Sequence, residues 1–76
     1  MRPNCECCNR DLAAEASDVW ICSFECTFCD QCVEGKLKHV CPNCGGGFSK
    51  RPTRVGKMLE KYPASTERVY KPAGCA

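Results

Sequence analysis

The chain has 76 residues, the length of one small domain. Leu, Ile, Val and Phe together make up about 16% of it, a share typical of chains that stay disordered unless something other than an apolar core stabilises them. Ten residues are cysteine, and such a content is typical of a cross-linked or metal-bound scaffold. Charge is segregated, since residues 1–32 carry two arginines and six carboxylates whereas residues 33–76 carry nine cations and three carboxylates.

The cysteines favour metal binding over disulfides. Disulfide-rich small domains are secreted, and the first residues (Met-Arg-Pro-Asn-Cys-Glu) do not have the apolar stretch of a signal peptide. No run approaches the roughly 18 apolar residues of a membrane span. We therefore expect a cytoplasmic protein with no membrane attachment, whose reduced thiols share metal ions in pairs.

A small β-hairpin is the first predicted element. Residues 19–21 (Val-Trp-Ile) form a β-prone run that leads into Cys22. Phe24 and Phe28 alternate with polar residues around Cys26, which indicates the return strand.

A single short helix is predicted next, from Asp30 to about His39. Val33 and Leu37 lie four positions apart and so share one helical face. Asp30 favours the positive N-terminal end of such a helix. The residues that favour its negative C-terminal end are Lys36, Lys38 and His39.

Residues 1–48 are predicted to form the folded module, and residues 49–76 a basic C-terminal extension that is partly ordered at most. Three consecutive glycines at 45–47 and three later prolines interrupt regular structure there. Residues 55–62 predict one or two helical turns, packed on the module or formed only transiently. Their apolar stripe consists of Val55, Met58, Leu59 and Tyr62.

The spacing of eight cysteines predicts two metal sites. They form four close pairs: Cys5 with Cys8, Cys22 with Cys26, Cys29 with Cys32, and Cys41 with Cys44. Zinc prefers four ligands in a tetrahedron, and two cysteines separated by two residues can turn both sulfurs onto one ion. The glycines after Cys44 suit such a turn. We expect two structural zinc ions whose binding makes the chain fold.

The order of these pairs resembles the RING finger family and its cross-braced relatives, although all eight ligands would be cysteine here. The resemblance implies a small metal-stabilised α+β module of the treble-clef type, in which the first and third pairs bind one ion and the second and fourth pairs the other. LIM domains have a similar order but bind serially, with the first four cysteines on one ion. Their loops are longer than the thirteen and eight residues found here.

The chain also resembles a family of short bacterial zinc-binding proteins of unknown function. The stretches that carry this resemblance are residues 3–8 (Pro-Asn-Cys-Glu-Cys-Cys), 21–29 (Ile-Cys-Ser-Phe-Glu-Cys-Thr-Phe-Cys), 41–48 (Cys-Pro-Asn-Cys-Gly-Gly-Gly-Phe) and 63–66 (Pro-Ala-Ser-Thr). The resemblance implies a bacterial cytosolic zinc protein and no particular activity.

Three further residues are of lower rank, and two of them, Cys7 and His39, are conceivable substitute ligands. Cys7 is interpreted as a small buried residue or a thiol, because the spacing of Cys5 and Cys8 suits a metal better. Cys75 lies near the end of the chain and is interpreted as an exposed thiol. His39 is interpreted as a residue at the end of a helix.

The sequence favours a monomeric, non-enzymatic module that mediates protein–protein interaction. Four thiolates leave no open coordination position for catalysis, and no catalytic triad or phosphate-binding loop is present. Nucleic-acid binding is the alternative, because residues 45–76 carry seven cations and two carboxylates, with Tyr62 and Tyr70 available to stack on bases.

Two other readings are weaker. Cys26, Cys29 and Cys32 are spaced as in bacterial ferredoxins, but the next cysteine follows after eight residues rather than three. The recruitment function of RING ubiquitin ligases needs an apolar residue where Cys7 stands and often a cation where Gly45 stands.

Overall fold

A computed structural model of the chain describes residues 1–71. It contains strand β1 (Val19–Ile21), strand β2 (Thr27–Cys29), helix α1 (Asp30–Glu34), strand β3 (Ser49–Lys50) and helix α2 (Gly56–Lys61). The three strands form an antiparallel sheet in the order β2-β1-β3. The small α+β class predicted from the sequence is confirmed. None of the helices within residues 1–71 is long and apolar enough to span a membrane.

The predicted β-hairpin is confirmed by the pairing of β1 with β2. Trp20 lies opposite Phe28, and the outer pairs are Val19 with Cys29 and Ile21 with Thr27. The connecting turn is closed by a backbone bond from the Cys22 N–H to the Cys26 carbonyl, 3.2 Å. The hairpin therefore brings Cys22 and Cys26 together at its tip.

Helix α1 is shorter than predicted. It ends at Glu34 rather than near His39, and none of the predicted basic residues lies in its last turn. Lys38 and His39 have the left-handed φ values of 50° and 64°, which a continuing helix does not allow. The helix is capped at Gly35, whose backbone N–H donates to the Gln31 carbonyl at 2.9 Å, and Leu37 beyond the cap is buried at 7% exposure.

Strand β3 extends the sheet beyond residue 48, where the predicted module ends. Trp20 pairs with Lys50 and Ile21 with Ser49, on the edge of β1 that β2 leaves open. The next residue, Arg51, donates its backbone N–H to the Val19 carbonyl at 2.8 Å. The segment that follows the glycines is thus attached to the hairpin by main-chain bonds.

The predicted helical turns before Pro63 are confirmed as α2, but the idea that their apolar stripe packs on the module is wrong for three of its members. Val55, Met58 and Tyr62 are all more than half exposed. The residues just before α2, and not its apolar face, attach it to the module: the Arg54 backbone N–H donates to the Ala14 carbonyl at 3.0 Å.

Residues 65–71 run back along the N-terminal loop. The Val69 carbonyl accepts a bond from the Asn4 side-chain amide at 2.9 Å, and the Lys71 N–H donates to the Glu6 carbonyl at 2.7 Å. Arg68 pairs with Asp11 at 2.7 Å. This part of the chain therefore lies against the loop that carries the first cysteine pair.

The core is built largely of sulfur. Among residues 1–71, the buried cluster has twelve members, of which seven are cysteines. The other members are Leu12, Val19, Phe28, Val33 and Leu37. Five apolar side chains are a small share of a domain core, so apolar contacts among the described residues supply little of the stability that a domain needs.

Candidate metal centre

The side chains of seven of the eight predicted ligands meet in two groups. In the first group, the sulfurs of Cys5, Cys8, Cys29 and Cys32 all lie within 4.8 Å of one another. In the second group, the same holds for Cys22, Cys26 and Cys41. All eight predicted ligands, Cys44 included, are reduced thiols.

The first group has the dimensions of a tetrahedral thiolate site. Four sulfurs that are each about 2.3 Å from one zinc ion lie about 3.8 Å from each other. The Cys8 and Cys29 sulfurs are 3.8 Å apart. The group therefore fits a zinc ion without rearrangement of this pair.

Local structure explains why these four sulfurs converge. A tight turn carries Cys5 and Cys8, because the Asn9 N–H donates to the Cys5 carbonyl at 2.9 Å and Asn9 takes a left-handed φ of 64°. Cys29 ends β2 and precedes the first residue of α1, and Cys32 follows within the first turn of that helix. The site thus joins an N-terminal loop to the start of the helix.

The second group joins the tip of the hairpin to the turn at residues 41–46. This turn is closed by two backbone bonds of 2.8 Å, from Gly45 N–H to the Cys41 carbonyl and from Cys41 N–H to the Gly46 carbonyl. Cys44 lies on the same turn and is exposed. Its thiol interacts with that of Cys41, but its sulfur is not within 4.8 Å of all three others. Its role as the fourth ligand stays a prediction.

Gly45 is required by the backbone of this turn. Its φ is +77°, in the left-handed region that costs residues with a Cβ about 1–2 kcal/mol. We expect Gly45→Ala to lower the free energy of unfolding of the metal-loaded protein by that amount, measured by urea denaturation.

Gly47→Ala is the matched control. Gly47 has no left-handed φ, and a Cβ added there would meet nothing within 4 Å. Its effect is expected to stay within about 0.5 kcal/mol. Equal effects of the two substitutions would show that the turn conformation at Gly45 is not a requirement.

The thiols of both groups are electrostatically coupled. Burial raises the pKa of the Cys41 thiol to about 12, and the neighbouring Cys44 and Cys22 thiols add to this rise. Burial also raises the pKa of Cys32, and the nearby sulfurs of Cys29 and Cys5 raise it further. An incoming metal ion must therefore displace protons, so metal affinity falls as the pH is lowered.

Cys22 is the exception within the second group. Burial alone would raise its pKa, but hydrogen bonds from the Cys26 thiol and from backbone N–H groups lower it to about 7. One of these donors is the Phe24 N–H, 3.3 Å from the Cys22 sulfur. This thiol is therefore the most readily ionised of the three, since the pKa values of Cys26 and Cys41 are raised.

A buried carboxylate links the two groups. Glu6 is 1% exposed and accepts a bond from the Thr27 N–H at 2.7 Å. It forms an ion pair with Arg2 and accepts a longer bond of 3.4 Å from the Asn43 side chain. It thereby connects the first cysteine loop to the hairpin tip and to the 41–46 turn. Sequence reasoning missed Glu6, because nothing in a lone carboxylate between cysteines indicates that it is buried.

Glu6→Gln is expected to lower the free energy of unfolding by about 1–3 kcal/mol. The amide can keep one bond to the Thr27 N–H, but it leaves the Arg2 guanidinium without its counter-charge. The measurement is urea denaturation with both metal sites saturated. Glu15→Gln, which neutralises an exposed carboxylate, is the control and should change stability by less than about 0.5 kcal/mol. A Glu6 variant as stable as this control would contradict the linking role.

The candidate ligands of lower rank lie outside both groups as far as the structure describes them. Cys7 is buried at 3% exposure and belongs to the core, as predicted for a small buried residue. His39 is exposed and stacks edge-on against Trp20, with ring centroids 6.0 Å apart. It does not lie at a helix end, since α1 ends five residues earlier. Cys75 lies outside the described residues.

Comparison with known proteins places this site within a family. The sequence pattern described as "Protein of unknown function (DUF1272)" matches residues 1–54. The chain is 62% identical over its full length to the uncharacterized protein R02474 of Rhizobium meliloti (strain 1021), and the match covers 90% of that relative. No solved structure matches the chain. The matched residues 1–54 contain both sulfur groups and strand β3.

Proposed function

The chain belongs to the DUF1272 family of unknown function, and from that premise we propose that it is a structural two-zinc module that acts through protein–protein interaction. The zinc assignment rests on the four cysteine sulfurs that converge in the first group. The Cys8 and Cys29 sulfurs are 3.8 Å apart, which is the sulfur–sulfur distance in a tetrahedral zinc site. Thiolate-only donor sets suit zinc or an iron–sulfur cluster, and the pairwise spacing favours a single ion in each group.

The proposed ligand arrangement is a RING-like cross-brace. The first group takes its members from the first and third cysteine pairs, and the second takes three from the second and fourth pairs. This alternation supports the cross-braced order over the serial one. We propose that Cys44 completes the second site when zinc is bound, because it shares a closed turn with Cys41.

The proposed role of the metal is structural rather than catalytic. Four thiolates fill the coordination sphere of zinc and leave no position for water or a substrate. The sulfurs of the first group are mostly buried, with Cys8 as the exposed member. The module then serves as a rigid platform for its exposed side chains, of which Phe24 at 74% exposure is the most prominent.

Metal analysis of the purified protein tests this proposal. Native mass spectrometry is expected to give two zinc ions per chain, with no absorption in the visible range. One metal per chain would contradict the second site. A coloured protein with iron and inorganic sulfide would replace zinc by a cluster. A metal-free protein with the same folded spectrum would end the proposal.

Nucleic-acid binding is the second candidate, supported by exposed lysines at positions 50, 57, 61 and 71. Fewer cations are available to bind phosphate than the sequence indicates, because Arg51 is buried and Arg68 is paired with Asp11. Binding of a labelled single-stranded oligonucleotide should fall steeply with salt and weaken in the double variant Lys57→Gln, Lys61→Gln. Absence of either effect would remove this candidate.

A further inference from the structure

Within the part of the chain that the structure describes, one cation is buried without a negative partner. Arg51 follows β3 and is 6% exposed. Its guanidinium donates to two neutral acceptors, the Arg2 carbonyl at 2.8 Å and the Ala13 carbonyl at 3.0 Å. Within residues 1–71 its Nε has no hydrogen-bond partner, and no carboxylate forms an ion pair with it.

A buried cation that lacks a counter-charge is unfavourable. Backbone carbonyls satisfy some of its donors, but they do not supply the negative charge that a desolvated guanidinium needs. Burial accordingly lowers the pKa of Arg51. A partner that brings a carboxylate to this position would relieve the imbalance.

Arg51 lies at the base of a surface groove. Two hollows of about 170 and 180 Å³ adjoin each other here, and both are lined by Ile21, Glu25 and Arg51. Phe24 borders one hollow and Arg54 the other. Each hollow alone is smaller than a small-molecule site, which is about 300–1,000 Å³, so each suits one side chain of a peptide.

The chemistry of the groove is mixed. Phe24, at the hairpin tip, offers an apolar surface that is 74% exposed. Arg54 is half-buried and adds a second guanidinium, held by a bond of 2.7 Å to the Tyr62 carbonyl. Glu25 is exposed and is the one carboxylate that lines both hollows. Planar guanidinium groups bind carboxylates with two parallel hydrogen bonds.

We infer that this groove binds an acidic peptide segment of a protein partner, with a carboxylate against Arg51 and Arg54 and a neighbouring apolar side chain on Phe24. The inference rests on the interaction function proposed above and specifies its partner. The Glu25 carboxylate repels the bound carboxylate, so it lowers the affinity of the groove for the peptide.

The test uses the full-length zinc-loaded protein and a synthetic acetylated peptide in which aspartates alternate with leucine and phenylalanine. Its twin has asparagine in place of each aspartate. The acidic peptide is expected to shift the Arg51 Nε–H resonance in a ¹H–¹⁵N correlation spectrum, and the neutral twin is not. Failure of the acidic peptide to shift this resonance overturns the inference.

Four variants separate the groove from general charge attraction. Arg54→Gln is expected to weaken binding about fivefold, whereas Lys57→Gln, with the same change of charge outside the groove, leaves it unchanged. Phe24→Ala should weaken binding about tenfold. Glu25→Gln should tighten it about fivefold. Equal losses for Arg54→Gln and Lys57→Gln, or weaker binding by Glu25→Gln, would overturn the inference.

Two further outcomes keep this inference distinct from the proposed function. A chain that holds two zinc ions but ignores the peptide refutes the groove and leaves the zinc module intact, whereas a metal-free folded chain refutes the module itself. An oligonucleotide that shifts the Arg51 resonance and competes with the acidic peptide at lower concentration would replace the protein partner by a nucleic acid.

Discussion

Cys29→Ala is expected to remove one metal ion and to unfold the molecule at room temperature. A structural zinc site contributes on the order of 10 kcal/mol to folding, and the stability of a whole domain is about 5–15 kcal/mol. Loss of one site therefore removes an amount comparable to the whole free energy of unfolding. Cys29 is fully buried and lies at the junction between β2 and α1.

Val33→Ala is the matched control for this substitution. Val33 is also fully buried and directly follows a predicted ligand, yet it belongs to neither sulfur group. Native mass spectrometry should find two zinc ions in this variant and at most one in Cys29→Ala. The dispersion of the amide spectrum should follow the metal count. Retention of two ions by Cys29→Ala would show that the ligand assignment is wrong.

Chelation is expected to unfold the whole chain in one transition. The first group spans residues 5–32 and the second spans residues 22–41, so the two spans overlap. Removing either ion releases segments that the other site needs in place. Titration with EDTA should therefore cause a single loss of β-sheet and helix signals by circular dichroism, and added zinc should restore them.

The control for chelation is the same titration with zinc kept in excess over EDTA, where no change is expected. Two well-separated transitions, each accompanied by loss of one ion, would instead indicate two independent sites of the serial kind. A folded spectrum that persists after complete removal of metal would contradict the dependence of folding on coordination.

Much of the local structure could be predicted from the sequence, because short-range patterns determine it. The β-prone run at residues 19–21 and the aromatic residues that follow do form the hairpin. Three of the four cysteine pairs lie on turns, and Gly45 has the left-handed conformation that the Cys41 turn needs, whereas Cys29 and Cys32 lie at the end of β2 and in α1. These features depend on neighbours within a few residues.

The remaining features depend on contacts between distant residues. Helix α1 ends at Glu34, and the His39 N–H then donates to the Val33 carbonyl at 2.9 Å, although the spacing of Val33 and Leu37 fits a longer helix. The burial of Glu6 and Arg51 follows from groups far along the chain, such as Thr27 and Ala13. A single charged residue gives no sign in sequence that it is buried, so both residues were identified only in three dimensions.

The alternation of the sulfur groups along the chain imposes an order on biosynthesis. The ligands of the first group are complete only when residue 32 has left the ribosome, and those of the second group only after residue 41. Until then Cys5 and Cys8 are two exposed thiols of a nascent polypeptide, and no complete metal site protects them. The growing chain can therefore complete the first group before the second, and a translation product shorter than 32 residues has neither group complete.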